Sequence, residues 1–326
     1  MTSRSLGDAR FFIKPRTIFW EMLFFGRNSP LKVPFSGTTI EFNLEQKYSR
    51  GPRESEVWAV DTSGVPASML DSFFSFGQLL AYCYFFGLQD MHKDNILRTS
   101  TGLQAIDVEQ AFSDLLLPNQ TLMLTPNKDI NWSSALNLVT SRSVGHLERR
   151  EAKALIDGFV ALAGHLKKNL PTVIEIIASL NDDFRNQPIR VFFRGTREYT
   201  DAVSGGSQIV DALEEEMIQL ARGDVPYFFT FLGRNKIYYY TTADWNYAEV
   251  RVPESFRKFV ENCGCDPLVL LSAPSIEKRF ARGLLFLSRK MRLLTNADLK
   301  WEGCGIERAS EQLVFRSPDL KAVSRI

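Results

Sequence analysis

The sequence predicts an α+β protein of two lobes, on three observations. Its first 64 residues carry short β-type runs joined by polar turns. A strongly apolar helix then runs from about Ala67 to Phe86, with Gly87 as its stop signal. Directly after that helix stands the stretch GLQDMHKDNILRTSTGLQAIDVEQAF, residues 87–112, which sets Asp90, Asn95 and Asp107 in a fixed order. These features divide the chain into a reduced N-terminal lobe (1–64), a larger C-terminal lobe (65–250) and a helical extension (251–326).

The N-terminal lobe begins with RFFIK, residues 10–14, a short strand that ends in Lys14-Pro15-Arg16. Residues 17–26, TIFWEMLFFG, have the periodicity of an amphipathic helix, and Glu21 on it is a candidate ion-pair partner for Lys14. From Thr38 to Val60 the runs TTIEFNL and EVWAV flank a polar turn, as a hairpin does. The segment Asp61-Thr62-Ser63-Gly64-Val65-Pro66 then reads as a hinge.

The stretch after the apolar helix carries the chemistry. Kinase-type phosphoryl transfer needs a loop Asp to orient and deprotonate a hydroxyl, an Asn a few residues on to hold one magnesium ion, and a strand-borne Asp to grip the metal on the nucleotide phosphates. Asp90, Asn95 and Asp107, the last on the apolar run Leu103 to Val108, fill these places in order. His92 lies where its donor faces the transferring phosphoryl group. A lysine on an upstream strand, here Lys14, is the residue that such folds pair with nucleotide phosphates. Hairpin, hinge, buried helix and catalytic loop follow in the order of a two-lobed kinase.

Downstream, a helical stretch from Arg149 to Leu180 is interrupted by Pro171, and His146 and His165 near it read as bland surface or core histidines. In the strand PIRVFFRGT, Arg190 and Arg194 alternate with Val191 and Phe193, so two guanidiniums share one face, an arrangement suited to a phosphate. An acidic helix (Val210 to Arg222) and the hairpin FFTFLGRNKIYYYTT, with its turn at Gly233-Arg234-Asn235, follow. The remainder is mixed helix with basic runs.

Composition removes several alternatives. A net charge of +1 argues against a polyanion-binding surface. Four cysteines in 326 residues are no disulfide framework, and Cys263-Gly-Cys265 with Cys304 lacks a nearby His to complete a zinc site. The first residues lack a signal peptide's apolar core, and the longest apolar run is too short for a membrane span, so a cytoplasmic protein is expected.

Taken together, Lys14-Pro15-Arg16, the QDMHKDN loop, AIDVEQAF, RVFFRGTREY and ARGDVPYFF resemble, in order, the dehydratase domain of class II lanthipeptide synthetases, from residue 14 to about 230. The resemblance implies a lipid-kinase-like fold and an enzyme that uses ATP and Mg²⁺ to phosphorylate Ser and Thr of a precursor peptide. The phosphate is then eliminated to leave a dehydroamino acid. It places phosphorylation on Asp90, His92, Asn95 and Asp107, with Lys14 at the nucleotide and Asn95 and Asp107 at the metal. Elimination falls to Arg190 and Thr196, and Glu109 matches the acidic pair of the family's strand.

Nothing here resembles the cyclase domain of full-length relatives, and thirteen residues precede Lys14. The resemblance therefore implies a stand-alone or truncated dehydratase, with a separate cyclase or other modification enzyme as partner. Two further readings stay open: a phosphotransferase that stops at the phosphate, and a catalytically weak module that binds precursor peptide for another enzyme.

Overall fold

A computed structural model describes residues 2–6, 9–14, 16–49, 55–60, 68–99, 102–124, 134–140, 147–204, 206, 209–242, 246–295, 305–309, 312–316 and 321–325. It is an α+β structure of helices and antiparallel sheets, in two compact units: residues 1–180 with 267–326, and residues 181–266. These boundaries differ from the divisions at 64 and 250 expected from the sequence. The chain leaves the first unit after a long helix and returns to it for another, so contiguity in sequence did not mark the units.

In the first unit, β1 (Thr2–Leu6), β2 (Ala9–Lys14), β3 (Glu45–Ser49) and β4 (Ser55–Val60) form a sheet of order β1-β2-β4-β3. Strand β2 is the RFFIK run, and β4 contains EVWAV. Of the expected TTIEFNL strand only its end pairs: residues 38–43 are irregular, Leu44 bridges Gly26, and β3 starts at Glu45. The side chains of Ile40, Phe42 and Leu44 are buried all the same. Apolar alternation thus reported burial, while Gln78 took the Thr39 N–H that a ladder would have used, at 2.7 Å. The hinge at 61–66 lies outside the described residues.

Helix α1 (Phe19–Phe25) crosses to α2 (Met69–Phe86), which Ser68 caps at its N-terminus and Gly87 ends in the left-handed conformation, φ +64°. Helix α2 is apolar on nearly all sides and is accordingly buried on nearly all sides. Trp20 and Phe24 of α1, Tyr82 and Phe86 of α2, and Phe112 beyond α2 pack ring against ring, with centroids 4.8–6.5 Å apart. The buried Arg279 donates to the carbonyls of Tyr84 and Phe85, placing a cation at the negative end of α2.

Helix α3 (Arg149–Ser179) runs through Pro171 without a break, contrary to the expected interruption. Proline forfeits one ladder hydrogen bond, but Leu166, Leu170, Val173 and Ile177 keep the buried stripe continuous on both sides of it. The contact of α2 with α3 depends on glycine. A Cβ on Gly158 would stand 2.0 Å from the Phe74 carbonyl oxygen, and one on Gly77 1.9 Å from that of Leu155. Gly158→Ala must therefore push the two helices apart. It should cost about 3 kcal/mol, read as a lowered denaturant midpoint; an unchanged midpoint would mean that the helices do not meet there.

The second unit contains α4 (Asp182–Arg185), β7 (Ile189–Val191), α5 (Thr196–Val203), α6 (Glu214–Ala221), β8 (Phe228–Thr230), β9 (Tyr238–Tyr240), β10 (Tyr247–Glu249) and α7 (Arg257–Glu261). Its sheet has the order β10-β9-β8-β7. One set of side chains, among them Val191, Phe228 and Ile237, forms its core; Phe229, Phe231 and Tyr238 form a second cluster. The chain then returns to the first unit with α8 (Pro267–Leu270) and α9 (Ala273–Thr295), and β11 (Gly305–Ala309), β12 (Gln312–Arg316) and β13 (Lys321–Arg325) follow as an antiparallel sheet. Among the described residues no helix is long and apolar enough to cross a membrane.

Candidate active site

The end of β2, the start of α1 and the segment 88–109 converge on one polar cluster in the first unit. Lys14 is the last residue of β2, and its side chain is buried, 1% exposed. Its ammonium donates to Glu21 Oε1 at 2.8 Å, to the Ile106 carbonyl at 2.5 Å and to Asp107 Oδ1 at 2.6 Å. An ammonium has three N–H donors, so these contacts use all of them. The Lys14–Glu21 pairing expected from the sequence is present, with Glu21 fully buried on α1.

Arg16 enters the same cluster. Its Nε meets Glu109 Oε1 at 2.8 Å, Nη1 meets Glu21 Oε2 at 3.2 Å, and Nη2 meets Glu21 Oε1 at 2.5 Å and also Asp107 Oδ1. Two cations thus face three carboxylates. Burial alone would raise the Asp107 pKa, but Lys14 and Arg16 outweigh it and hold the carboxyl below its usual range.

Asp107 follows β6 (Leu103–Ala105), which pairs with β5 (Ile96–Arg98), so the expected strand ends two residues before the carboxylate. At the open end of this hairpin the Ile106 N–H donates to the Asn95 carbonyl at 3.0 Å, so the chain at Asn95 lies against the residue that precedes Asp107. The loop before Asn95 is tightly turned. Asp90 has φ +62°, an uncommon conformation for a residue with a Cβ and one that Asp tolerates better than most. The Met91 N–H anchors it to the Thr121 carbonyl at 2.8 Å.

Asn95 donates its amide N–H to the Asp90 carbonyl at 2.7 Å, and the same nitrogen lies 3.3 Å from His92 Nε2. With the NH₂ committed to the loop, the amide oxygen is the end available to a cation. His92 accepts the Asp94 N–H on Nδ1 at 3.2 Å, which leaves its ring proton on Nε2, 3.6 Å from Asp90 Oδ1. Asp90 and Asn95 are therefore joined directly by the Asn95 amide, and His92 stands beside both on the same tight turn.

The donor chemistry suits magnesium. Asn95 and Asp107 supply hard oxygens, and a site with few protein ligands is what an ion that keeps water and phosphate oxygens needs. No group of three His, Cys, Asp or Glu side chains forms a ready-made metal cage among the described residues. The thiols of Cys263 and Cys265 donate to the Phe259 and Glu261 carbonyls, and burial pushes the Cys263 thiol up to about 12. Cys304 and His146 lie outside the described residues, and His165 is satisfied by the Pro34 carbonyl at 2.6 Å.

Arg190 and Thr196 belong to the second unit. Arg190 is the middle residue of β7, and its guanidinium lies 4.3 Å from the Phe192 ring centroid and 4.9 Å from that of Tyr227. The expected pair of arginines on one strand face is not formed. Strand β7 stops at Val191, and Arg194 turns to Glu216, Nε to Oε1 at 3.0 Å, and to the Asp211 carbonyl at 2.9 Å. Glu216 is fully buried and also accepts from Tyr199 Oη and the Leu213 N–H, so it needs the Arg194 charge for its own compensation. Thr196 is the first residue of α5, not a strand residue, and its side chain is not among those described.

Sequence reading passed over Arg16 as a site residue and left Glu109 without a role. The available signal was the i, i+2 spacing of Lys14 and Arg16 and of Asp107 and Glu109, which sets two cations opposite two carboxylates. Set against known proteins, the chain matches no family model, and no curated protein is significantly similar to it.

Proposed function

We propose that the chain is a two-lobed, lipid-kinase-like enzyme that transfers phosphate from Mg²⁺·ATP to Ser and Thr of a precursor peptide and then eliminates it. The observation that carries the phosphoryl-transfer half is the buried Lys14 ammonium, shared by Glu21 and by Asp107, which lies 93 residues further along the chain. Burying such a cluster costs several kcal/mol of desolvation per ion, and an apolar replacement is often no less stable. A costly polar cluster beside an Asp–His–Asn loop points to chemistry more than to packing.

In this reading Asp90 orients the peptide hydroxyl and takes its proton, and His92 presents Nε2–H toward the transferring phosphoryl group. Asn95 and Asp107 hold Mg²⁺, which supplies charge neutralisation at the phosphates. Lys14 binds the nucleotide phosphates. For the second half, Arg190 stabilises the departing phosphate and Thr196 adds a hydroxyl donor, an assignment supported by the RVFFRGT motif.

A phosphotransferase that stops at the phosphate is the second reading. It is favoured by one observation: the second arginine of that motif, Arg194, is engaged by Glu216. Mass spectrometry of a Ser/Thr-containing candidate precursor peptide after incubation with ATP and Mg²⁺ separates the two. Loss of water supports the dehydratase, gain of phosphate alone supports the second reading, and an unmodified peptide supports neither.

His92→Ala should lower phosphorylation about 10²-fold, because a positioned donor at the transferring group is lost. Nucleotide affinity should stay near wild type in the same variant; a parallel loss of affinity would make His92 structural.

A further inference from the structure

Lys14 is fully committed in this structure. Its three donors go to Glu21 Oε1, the Ile106 carbonyl and Asp107 Oδ1, so none is left for a nucleotide phosphate until one of those contacts is given up. Giving one up is expensive in isolation, because Glu21 is fully buried and a buried carboxylate without a partner costs several kcal/mol. Something else must hold the carboxylates when the lysine leaves.

Arg16 is placed to do so. Its Nη2 contacts the same two oxygens that Lys14 contacts, Glu21 Oε1 and Asp107 Oδ1. Its Nη1 adds Glu21 Oε2 and its Nε is anchored on Glu109 at 2.8 Å. A planar fork with five donors can keep all three carboxylates in register, whereas a lysine offers one point of charge. Both cations approach Asp107 through Oδ1, so neither takes up Oδ2, which the metal role proposed above would use.

We infer that Arg16 is a positioning residue that holds Glu21 and Asp107 in place when Lys14 moves from them to a nucleotide phosphate. The inference rests on the phosphoryl-transfer reading and adds to it a hand-over between two cations on shared oxygens. Lys14 is thereby a movable ligand, and Arg16 the fixed one that keeps the metal-binding carboxylate aimed.

The test is calorimetric binding of Mg²⁺ with a non-hydrolysable ATP analogue to the full chain and to the variants Lys14→Met, Arg16→Met, Arg16→Lys and Lys14→Met/Arg16→Met. Arg16→Met should weaken binding about 10–100-fold, the worth of one or two charge-assisted contacts. Part of the effect of Arg16 is to let Lys14 leave the carboxylates, and that part vanishes with Lys14, so losing Arg16 should cost less in the Lys14→Met background than in wild type. A purely structural arginine would lower the melting temperature without this non-additivity.

Additive losses, or Arg16→Met binding at wild-type affinity, would overturn the inference while leaving phosphoryl transfer intact. If Arg16→Met fails to fold, Arg16→Lys decides: it keeps the charge but not the fork, and binding at wild-type affinity overturns the inference just as well. A wild-type chain that binds no Mg²⁺·nucleotide overturns the functional reading and this inference with it.

Discussion

Asp107→Asn should abolish both phosphorylated and dehydrated peptide, with rates down by about 10³-fold or more. In the proposed function the carboxylate would supply the charged oxygen for the metal, and charge neutralisation at the transferring phosphoryl group is worth several kcal/mol, each 1.36 kcal/mol being a factor of ten. Asparagine keeps the size but removes the charge that Lys14 and Arg16 both meet at Oδ1. The variant therefore also frees those two cations from a partner, and its melting temperature should fall.

The sign of the accompanying pH dependence follows from the lowered Asp107 pKa. A carboxyl whose pKa is depressed on folding contributes stability above its unfolded value, about 3.9, and that contribution is lost as pH falls through the folded value. The stability gap between wild type and Asp107→Asn should be full at neutral pH and should close in acid. Peptide dehydration by Asp107→Asn at near wild-type rate would sink the kinase-like assignment. A gap independent of pH would show that Asp107 is not ionised in the cluster.

The second large effect is expected at Arg190, in the other compact unit. In β-elimination the phosphate departs as the Cα proton is removed, so negative charge accumulates on the leaving oxygen. A guanidinium there favours the transition state over the bound phosphopeptide and has little to act on in unmodified serine. Arg190→Ala should spare phosphorylation and slow elimination about 10²–10³-fold, so that peptide mass rises by a phosphate where wild type loses water.

The position brings its own control. The Arg190 guanidinium lies over Phe192 and Tyr227, and removing it forfeits cation–π contacts of about 0.5–2 kcal/mol. Arg190→Lys keeps the charge but loses both the stacking plane and the donor fork, so it should restore only part of the elimination rate. Dehydrated product at wild-type rate from Arg190→Ala, with no phosphopeptide, would remove Arg190 from the mechanism. Loss of phosphorylation in the same variant would make it a structural residue.

How far these residues were legible depends on how local their causes are. Helix α2 was readable end to end, from an apolar run closed by Gly87, because capping and burial of a helix are written within its own twenty residues. The Asp90-to-Asn95 loop and the start of β6 at Leu103 were readable for the same reason, though not the end of that strand before Asp107, and so was the Lys14–Glu21 pair, seven residues apart. Arg194 was misread because a two-residue alternation predicts which face a side chain takes only while the strand lasts. Once β7 ended, the buried charge of Glu216, 22 residues away, decided where the guanidinium went.

The sequence by itself determined the chemical groups at the candidate site, the tight loop that carries three of them and the apolar helix before it, since each follows from neighbours along the chain. Only the tertiary structure decided that Lys14 and Arg16 meet Asp107 and Glu109 across more than ninety residues, and that they share single oxygens. It also decided that residues 181–266 form a unit of their own before the chain returns to α3's side. The physical reason is common to all three. Which partner a charge or a helix face finds is settled by the free energy of burying it, and burial exists only once distant segments have closed over one another.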